Sequence, residues 1–271
     1  MKSILLHISD DSGLEARLQA SLDLARTFDG HVTCLQSISF DFFASGDFYG
    51  VAIAAAMATV KESAEELRAK IEARLANEDV AWEWVSRYGM AEHCLLEHSA
   101  INDVIVVGPY VPGGSNARPS QMVGDLLMRA RTPVLVIPGS HKRFDCSGPV
   151  LVAWNGSTES CIALRAALPL LKKSSAVYLV TVTGDNDRER FDLPPVQGAE
   201  YLSRHGIQCE LVEIDRGDAT VADALFTEAQ TRHCAYLVMG AYGHSRLAEM
   251  LLGGMTRRAL TDPQLPMLLA H

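Results

Sequence analysis

The sequence predicts an α/β protein made of two tandem doubly wound domains, each a five-stranded parallel sheet flanked by helices. Three observations predict this class: apolar runs recur along the chain, amphipathic helical patterns separate them, and the order of these segments in the first half repeats in the second. Strand–helix–strand repetition with right-handed crossovers produces open parallel sheets. The 271 residues are enough for two such domains.

The internal repeat is visible segment by segment. SILLHIS (3–9) matches PVLVAWN (149–155), and a helical pattern follows each of them. Further along, HVTCLQS matches AVYLVTV, NDVIVVGPY matches CAYLVMGAY, and TPVLVIP matches LPMLLAH. We therefore expect domains at residues 1–140 and 148–271, joined by the linker GSHKRFDCSG.

The elements of the second half can be placed from hydrophobic periodicity. Strands are predicted near 149–154, 175–182, 207–214, 235–239 and 266–270. Helices are predicted near 157–171, 195–205, 218–231 and 253–262, and a long helix near 51–76 is predicted in the first half. DVIVV and YLVM are apolar at consecutive positions, which is typical of strands buried on both faces. Sheets of this kind bind ligands outside the carboxyl ends of their strands.

Composition and charge exclude several classes of protein. The net charge of -9 argues against sequence-independent binding of nucleic acid. The most apolar run, 51–60, is half the length of roughly 20 residues that a membrane span requires. The six cysteines occur singly, which is typical of a reducing compartment. We therefore expect a cytoplasmic protein that has neither nucleic acid nor membrane as a partner.

The stretch GAYGHSRLAEMLLGG, residues 240–254, is the strongest candidate for a binding site. Its glycines follow a predicted strand and precede a predicted helix. Glycine lets the backbone approach a phosphate closely, and a helix N-terminus attracts anions. Thr256 would add a hydroxyl, and Arg257 or Arg258 a positive charge. From spacing alone, ordinary turn glycines remain an alternative interpretation, because short glycine motifs often occur by accident.

The spacing resembles the nucleotide-binding signature of universal stress proteins, which is G-x-x-G, nine residues, then G and a small residue. Gly240 and Gly243 are followed by nine residues and then by Gly253 and Gly254. VLVAWNGSTESCIALRAALPLL and LPMLLAH resemble the opening and closing segments of that family, so the resemblance covers nearly the whole chain in two copies. It implies a tandem universal stress protein, in which each domain has the strand order 3-2-1-4-5 and the two domains pack side by side.

The resemblance also implies a ligand, because family members with this signature bind ATP or another adenine nucleotide. Carried over by position, the adenosine part of the ligand faces three residues at the end of the first strand, Ala153, Trp154 and Asn155. The backbone of Val182, at the end of the second strand, meets the adenine. The ribose and phosphates contact Gly240 and Gly243, and the phosphates contact the helix start at Gly253, Gly254, Met255 and Thr256. His244 follows Gly243 in the sequence and is a further candidate for a phosphate contact, with a solvent-facing loop residue as the alternative. Whether Mg²⁺ accompanies the nucleotide is left open.

Three positions differ from the family pattern. Asn155 stands where Asp is usual and lacks its charge, and Trp154 is bulkier than the common residue. Gly254 replaces a usual Ser or Thr, so one hydroxyl is missing. These differences favour the alternative of an interaction protein or scaffold that binds no nucleotide.

The corresponding loop of the first half has lost the spacing. Gly108 matches Gly240, but Val111 replaces Gly243. The first strand of this half ends beside two aspartates, Asp10 and Asp11, which would repel a polyphosphate. We expect this loop to be a degenerate copy that is kept for packing.

No catalytic motif accompanies the loop, because the Walker pattern, G-x-S-x-G and H-E-x-x-H do not occur in the sequence. We therefore expect no enzyme, and weak ATP hydrolysis stays an alternative. The leading hypothesis is a cytoplasmic stress-response protein whose second domain binds an adenine nucleotide as a sensor or regulator. We expect the two domains to pair within the chain; a homodimer and a protein partner are left open.

Overall fold

A computed structural model of the chain places both halves in a single ten-stranded sheet. The structure describes residues 1–39, 50–109, 120–183, 193–242, 256–257, 261 and 263–271, and of residues 50–56 the backbone alone. The predicted alternation of strands and helices is confirmed in both halves. Within these described ranges, no helix is long and apolar enough to cross a membrane.

The first half contains five strands and four helices among its described residues. The strands are β1 (Ser3–Ile8), β2 (His31–Ile38), β3 (Ala81–Tyr88), β4 (Val104–Val107) and β5 (Val134–Val136). The helices are α1 (Leu14–Phe28), α2 (Gly50–Leu75), α3 (Ala91–Ser99) and α4 (Gln121–Arg129).

The second half repeats this order. Its strands are β6 (Val150–Ala153), β7 (Val177–Thr183), β8 (Glu210–Asp215), β9 (Tyr236–Gly240) and β10 (Met267–Ala270). Its helices are α5 (Thr158–Leu171), α6 (Pro195–Arg204) and α7 (Val221–Thr231). Most of the last predicted helix, 253–262, lies outside the described residues, but residues 256–257 and 261 are helical.

The strand order is β3-β2-β1-β4-β5-β10-β9-β6-β7-β8, so each half has the order 3-2-1-4-5. All neighbours within a half are parallel, whereas β5 and β10 are antiparallel, with Leu135 opposite Leu268. Because this central pair is antiparallel, the strands of the two halves point in opposite directions. Their carboxyl ends therefore lie at opposite edges of the sheet.

Helices cover both faces of the sheet, and two apolar layers result. On one face the strands pack against buried residues of α1, α2, α5 and α6, and on the other against those of α3, α4 and α7. The short central strand β4 is buried at all four positions, as its unalternating apolar sequence predicts.

The predicted linker, residues 139–148, packs between the two halves. Phe144 and Cys146 are buried, and the ring of Phe144 lies 5.3 Å from that of Tyr236 in β9. The backbone N–H of Phe144 donates to the carboxylate of Asp23 in α1 at 2.8 Å. This segment therefore contributes to the core that the halves share.

Candidate functional site

The candidate site of the second half lies where β6 and β9 end. These two strands are parallel neighbours. The helix that follows β6 is α5, on one face of the sheet, and the helix that precedes β9 is α7, on the other. The connections therefore diverge between these strands, and such a switch point is where open α/β sheets form a ligand crevice.

The turn from β6 to α5 is built by three consecutive residues. Asn155 Oδ1 accepts a hydrogen bond from the N–H of Ser157 at 3.2 Å, and Ser157 Oγ accepts from the N–H of Ser160 at 3.2 Å, which caps α5. Gly156 has a φ of +72°, and a Cβ there would overlap the backbone of Leu193. Asn155 itself is exposed, and since its side-chain oxygen serves the turn, a ligand contact would fall to its amide nitrogen.

Trp154 lies at the end of β6 with its indole under α6. The side chain is buried, and its Nε1–H donates to the carbonyl of Leu193 at 3.1 Å. Gly198 of α6 sits directly over the ring, since a Cβ there would be 3.4 Å from it. The indole is therefore engaged in packing, which leaves the backbone of Trp154 as the part that can face the carboxyl edge.

Val182 lies in a part of β7 that extends beyond β6. The last residue pair between the two strands joins Ala153 to Val180, while β7 continues alongside β8 as far as Thr183. The backbone of Val182 is thus placed beyond the β6–β7 ladder, at the edge where the adenine contact is predicted.

Thr181, next to Val182, is a polar residue that the sequence analysis missed. Its side chain is 3% exposed, and its hydroxyl has no hydrogen-bond partner among the described residues. A buried hydroxyl without a described partner is free to hydrogen-bond a group that reaches this strand end. A threonine in a β-rich run is an ordinary strand residue, so the sequence carried no signal for it.

Gly240 ends β9 against the first turn of α5. A Cβ at this position would stand 2.5 Å from the carbonyl carbon of Glu159 and 2.6 Å from the backbone nitrogen of Ser160. No side chain fits there, so packing alone requires a glycine. Gly240 therefore brings the backbone of β9 against the N-terminus of α5 at the switch point between β6 and β9.

Of the remaining predicted site residues, the structure describes Thr256 and leaves the others outside its described ranges. Gly243, His244, Gly253, Gly254 and Met255 lie outside the described residues. Thr256 is buried and helical, and the hydroxyl of Thr261 donates to the carbonyl of Arg257 at 2.6 Å, as within a helix.

The start of the 240–254 loop is anchored to the first half. Ala241 is fully buried and Tyr242 has a φ of +61°. The Tyr242 ring meets that of His271 edge-on at 6.0 Å, and its hydroxyl would lie 3.2 Å from a Cβ at Gly124 of α4. Burial, and secondarily Asp125 of α4, raises the pKa of the Tyr242 hydroxyl.

The corresponding edge of the first half is occupied by an internal ion pair. Arg17 of α1 is 1% exposed and donates to both carboxylate oxygens of Asp11 at 2.8 Å. It also donates to the carbonyls of His7 and Ser9 at 3.3 and 3.2 Å. A Cβ at Gly108 would stand 2.8 Å from the guanidinium, so this glycine makes room for Arg17.

The histidine beside this ion pair is held neutral. Burial, together with the charge of Arg17, lowers the pKa of His7 to about 3, although Asp11 acts in the opposite direction. Across the described parts of the chain, no three His, Cys, Asp or Glu side chains are grouped so that they could hold a metal ion.

The fold and this edge define the class: a doubly wound α/β protein whose two 3-2-1-4-5 sheets join through their fifth strands. The model of the Universal stress protein family matches residues 147–271. The second half of the chain therefore belongs to the universal stress protein family, and the whole chain has the tandem, two-domain layout.

Solved structures match the chain over its whole length. A universal stress protein from Archaeoglobus fulgidus covers 98% of this chain and 97% of its own, with 18% identity and a TM-score of 0.74. A putative universal stress protein from Pseudomonas aeruginosa covers 100% and 93%, with 18% identity and a TM-score of 0.57. A functionally unknown protein from the same species covers 100% and 92%, with 17% identity and a TM-score of 0.57. At these identities the likeness is one of fold. A comparison with curated proteins gave no match.

Proposed function

We propose that the second half binds an adenine nucleotide, of the ATP or AMP class, at the carboxyl ends of β6, β7 and β9, and that the protein acts as a regulator in a stress response. The observation that carries the proposal is the switch point between the parallel strands β6 and β9, where Gly240 packs against the first turn of α5. The glycine spacing of residues 240–254 supports it, because that spacing resembles a nucleotide-binding signature.

The described residues offer the groups that an adenosine requires. Val182 has backbone at the edge of β7 beyond the ladder with β6, and Thr181 brings a buried hydroxyl without a described partner to the same strand end. Asn155 is exposed at the N-terminus of α5, where the helix dipole favours anionic groups. In this proposal Gly243, His244, Gly253, Gly254, Met255 and Thr256 contact the ribose and the phosphates.

Among the residues of this site that the structure describes, none is placed as a general base, so the role that we propose is binding. Because no cluster of three metal-ligating side chains occurs in the described part of the chain, Mg²⁺ would arrive with the phosphates of the nucleotide. Binding would favour one conformation of the loop 240–254, and a partner protein would recognise that conformation.

Titration of the full chain with ATP and AMP, each with and without Mg²⁺, tests the proposal by calorimetry. We expect dissociation constants below 1 mM for at least one nucleotide, in the range of ligands that cells hold at millimolar levels. Gly243→Val should abolish this binding, because a side chain would block the backbone from approaching the ligand. Native mass spectrometry of the freshly purified protein gives an independent reading.

Val111→Gly is the matched control, because Val111 occupies the equivalent position in the first half. It should leave the affinity unchanged, and both variants should melt within a few degrees of the parent protein. Nucleotide affinity that is undetectable in the parent chain would favour the scaffold alternative. Phosphate release above the uncatalysed background would instead favour the weak hydrolase.

A further inference from the structure

The helices α5 and α6 on one face of the second half border an open cavity, which shares the residue Trp154, through its indole, with the predicted nucleotide site. Its volume is about 460 Å³, and it lies between α5 and α6. Pockets for small organic ligands are typically about 300–1,000 Å³ in volume. The cavity lies under α6 on a helix-covered face of the sheet, whereas the nucleotide site lies at the ends of the strands.

The cavity is apolar near the start of α6, where Leu193 and Val196 line it. The buried side chains of Trp154 and Leu164 also line the cavity. Val196 is 52% exposed, so a large aliphatic side chain at the start of α6 faces solvent in the absence of a ligand. An apolar surface of this kind gains free energy when a ligand removes it from water.

The other end of the cavity is cationic. Arg204 is eight residues after Val196 on α6, which places the two about 12 Å apart along the helix. Arg165 of α5 lines the same cavity, is exposed, and forms no ion pair with any described residue. Arg204 pairs with Glu200 at 3.5 Å, but both side chains are more than half exposed, so this pair is weak.

We propose that the cavity between α5 and α6 binds a small amphipathic anion: a carboxylate held by Arg165 and Arg204, with an apolar body about 10 Å long against Trp154, Leu164 and Val196. The guanidinium groups match a carboxylate in geometry as well as in charge. Glu200 is the acidic group that lines this end, and the two arginines outnumber it.

The net negative charge of the whole chain makes two arginines at one cavity unexpected, and this supports an anionic ligand. The protein carries a net charge of -9, with 24 basic and 33 acidic residues. Two arginines that line one partly apolar cavity therefore make it locally positive, in contrast to the net negative charge of the chain. An acyl carboxylate uses both features at once, whereas an uncharged lipid or a small inorganic anion uses only one of them.

Calorimetric titration of the full chain with decanoate tests the proposal, and decanol and acetate are the comparison ligands. We expect decanoate to bind, decanol to bind at least about tenfold more weakly, and acetate to show no heat of binding. Saturating ATP should leave the decanoate affinity unchanged, because the nucleotide faces the backbone of Trp154 and the cavity its indole. Equal binding of decanol and decanoate, or competition between ATP and decanoate, would overturn the proposal.

Variants at the exposed rim separate the two ends of the cavity without disturbing the core. Arg165→Gln combined with Arg204→Gln should weaken decanoate binding at least about tenfold and leave decanol unaffected. Val196→Glu should weaken both ligands, because it places a charge at the apolar end. Lys173→Gln, an exposed site just beyond α5, is the matched control for the loss of positive charge and should bind as the parent does. Parent-like binding by the double arginine variant would contradict the proposal.

Discussion

At the scale of single residues, the two halves use the same glycine position in different ways. Gly240 ends β9 against the backbone of α5, whereas Gly108, after β4, makes room for the guanidinium of Arg17. In the first half, Arg17 and Asp11 thus fill the strand ends with protein charges that satisfy each other. This gives a physical reason to expect a ligand in one half and none in the other.

Arg17→Met should lower the free energy of unfolding by about 3–5 kcal/mol. The substitution removes the positive charge that pairs with the buried carboxylate of Asp11, and it removes the hydrogen bonds that Arg17 donates to the carbonyls of His7 and Ser9. Urea denaturation measures the change. Arg129→Met, at an exposed arginine of α4, is the control and should cost less than about 0.5 kcal/mol. A loss below about 1 kcal/mol for Arg17→Met would contradict this account of the first half.

His7 should make the stability of the protein depend on pH. Its pKa in the folded chain is about 3, against 6.5 when the residue is unperturbed. Below pH 6.5 the unfolded chain takes up a proton that the folded chain does not, so stability falls until the folded pKa is reached. Between pH 6.5 and 5 the loss from His7 should be about 1.5 kcal/mol. Urea denaturation at both values should show this extra loss in the parent chain and not in His7→Gln; equal losses in both would count against it.

At the scale of elements, the junction between β9 and α5 determines the geometry of the candidate site. Ser157 caps the helix, Gly156 permits the turn, and Gly240 allows the strand and the helix backbone to touch. Each of these residues is also consistent with ordinary turn and packing chemistry. The geometry of the site therefore depends on packing that would be needed with or without a ligand.

Gly240→Ala should destabilise the fold by about 1–3 kcal/mol, because its Cβ would meet the backbone of Glu159 and Ser160, which cannot move aside as a side-chain tip would. Chemical denaturation measures the effect. Gly206→Asn is a suitable control: no atom lies within 4 Å of the added Cβ, and asparagine tolerates its φ of +74°. Parent-like stability of Gly240→Ala would show that the junction is looser than described.

At the scale of the whole molecule, the antiparallel pairing of β5 with β10 makes one sheet from two repeats. Met267, Leu268 and Leu269 are buried at this junction, so the fifth strand of each half covers that of the other. The packed segment with Phe144 and Cys146 adds a second connection between the halves. Each half thus depends on the other for part of its core.

A double-mutant cycle at this junction should reveal the dependence. Leu135→Ala and Leu268→Ala should each cost about 2–5 kcal/mol, and because the two residues face each other their effects should differ from additivity by at least about 0.5 kcal/mol. Denaturant unfolding of the four proteins gives the coupling. Leu135→Ala combined with Leu202→Ala in α6 should be additive. Additivity in the first cycle would argue against a continuous core.

The repeat, the strands of the second half and the long helix could all be predicted from the sequence, because buried parallel strands and amphipathic helices have distinct periods. Helix α2 (Gly50–Leu75) lies within one residue of its prediction. The ends were less accurate: β8 begins at Glu210 and not near residue 207, since turn residues before a strand resemble the strand itself. The resemblance in the glycine spacing selected the second half as the site, but not the contacts at Gly240 or Trp154.

The sequence by itself determined the fold class, the duplication, the family of the second half and the asymmetry between the two glycine loops. Each of these follows from hydrophobic periodicity or from the spacing of residues along the chain. The tertiary structure alone decided which residues meet across that pattern. The Arg17–Asp11 pair, the buried hydroxyl of Thr181, the indole of Trp154 under α6 and the antiparallel β5–β10 ladder all join distant segments or depend on them. Such contacts depend on how two helices and a sheet pack in space, which no local periodicity specifies.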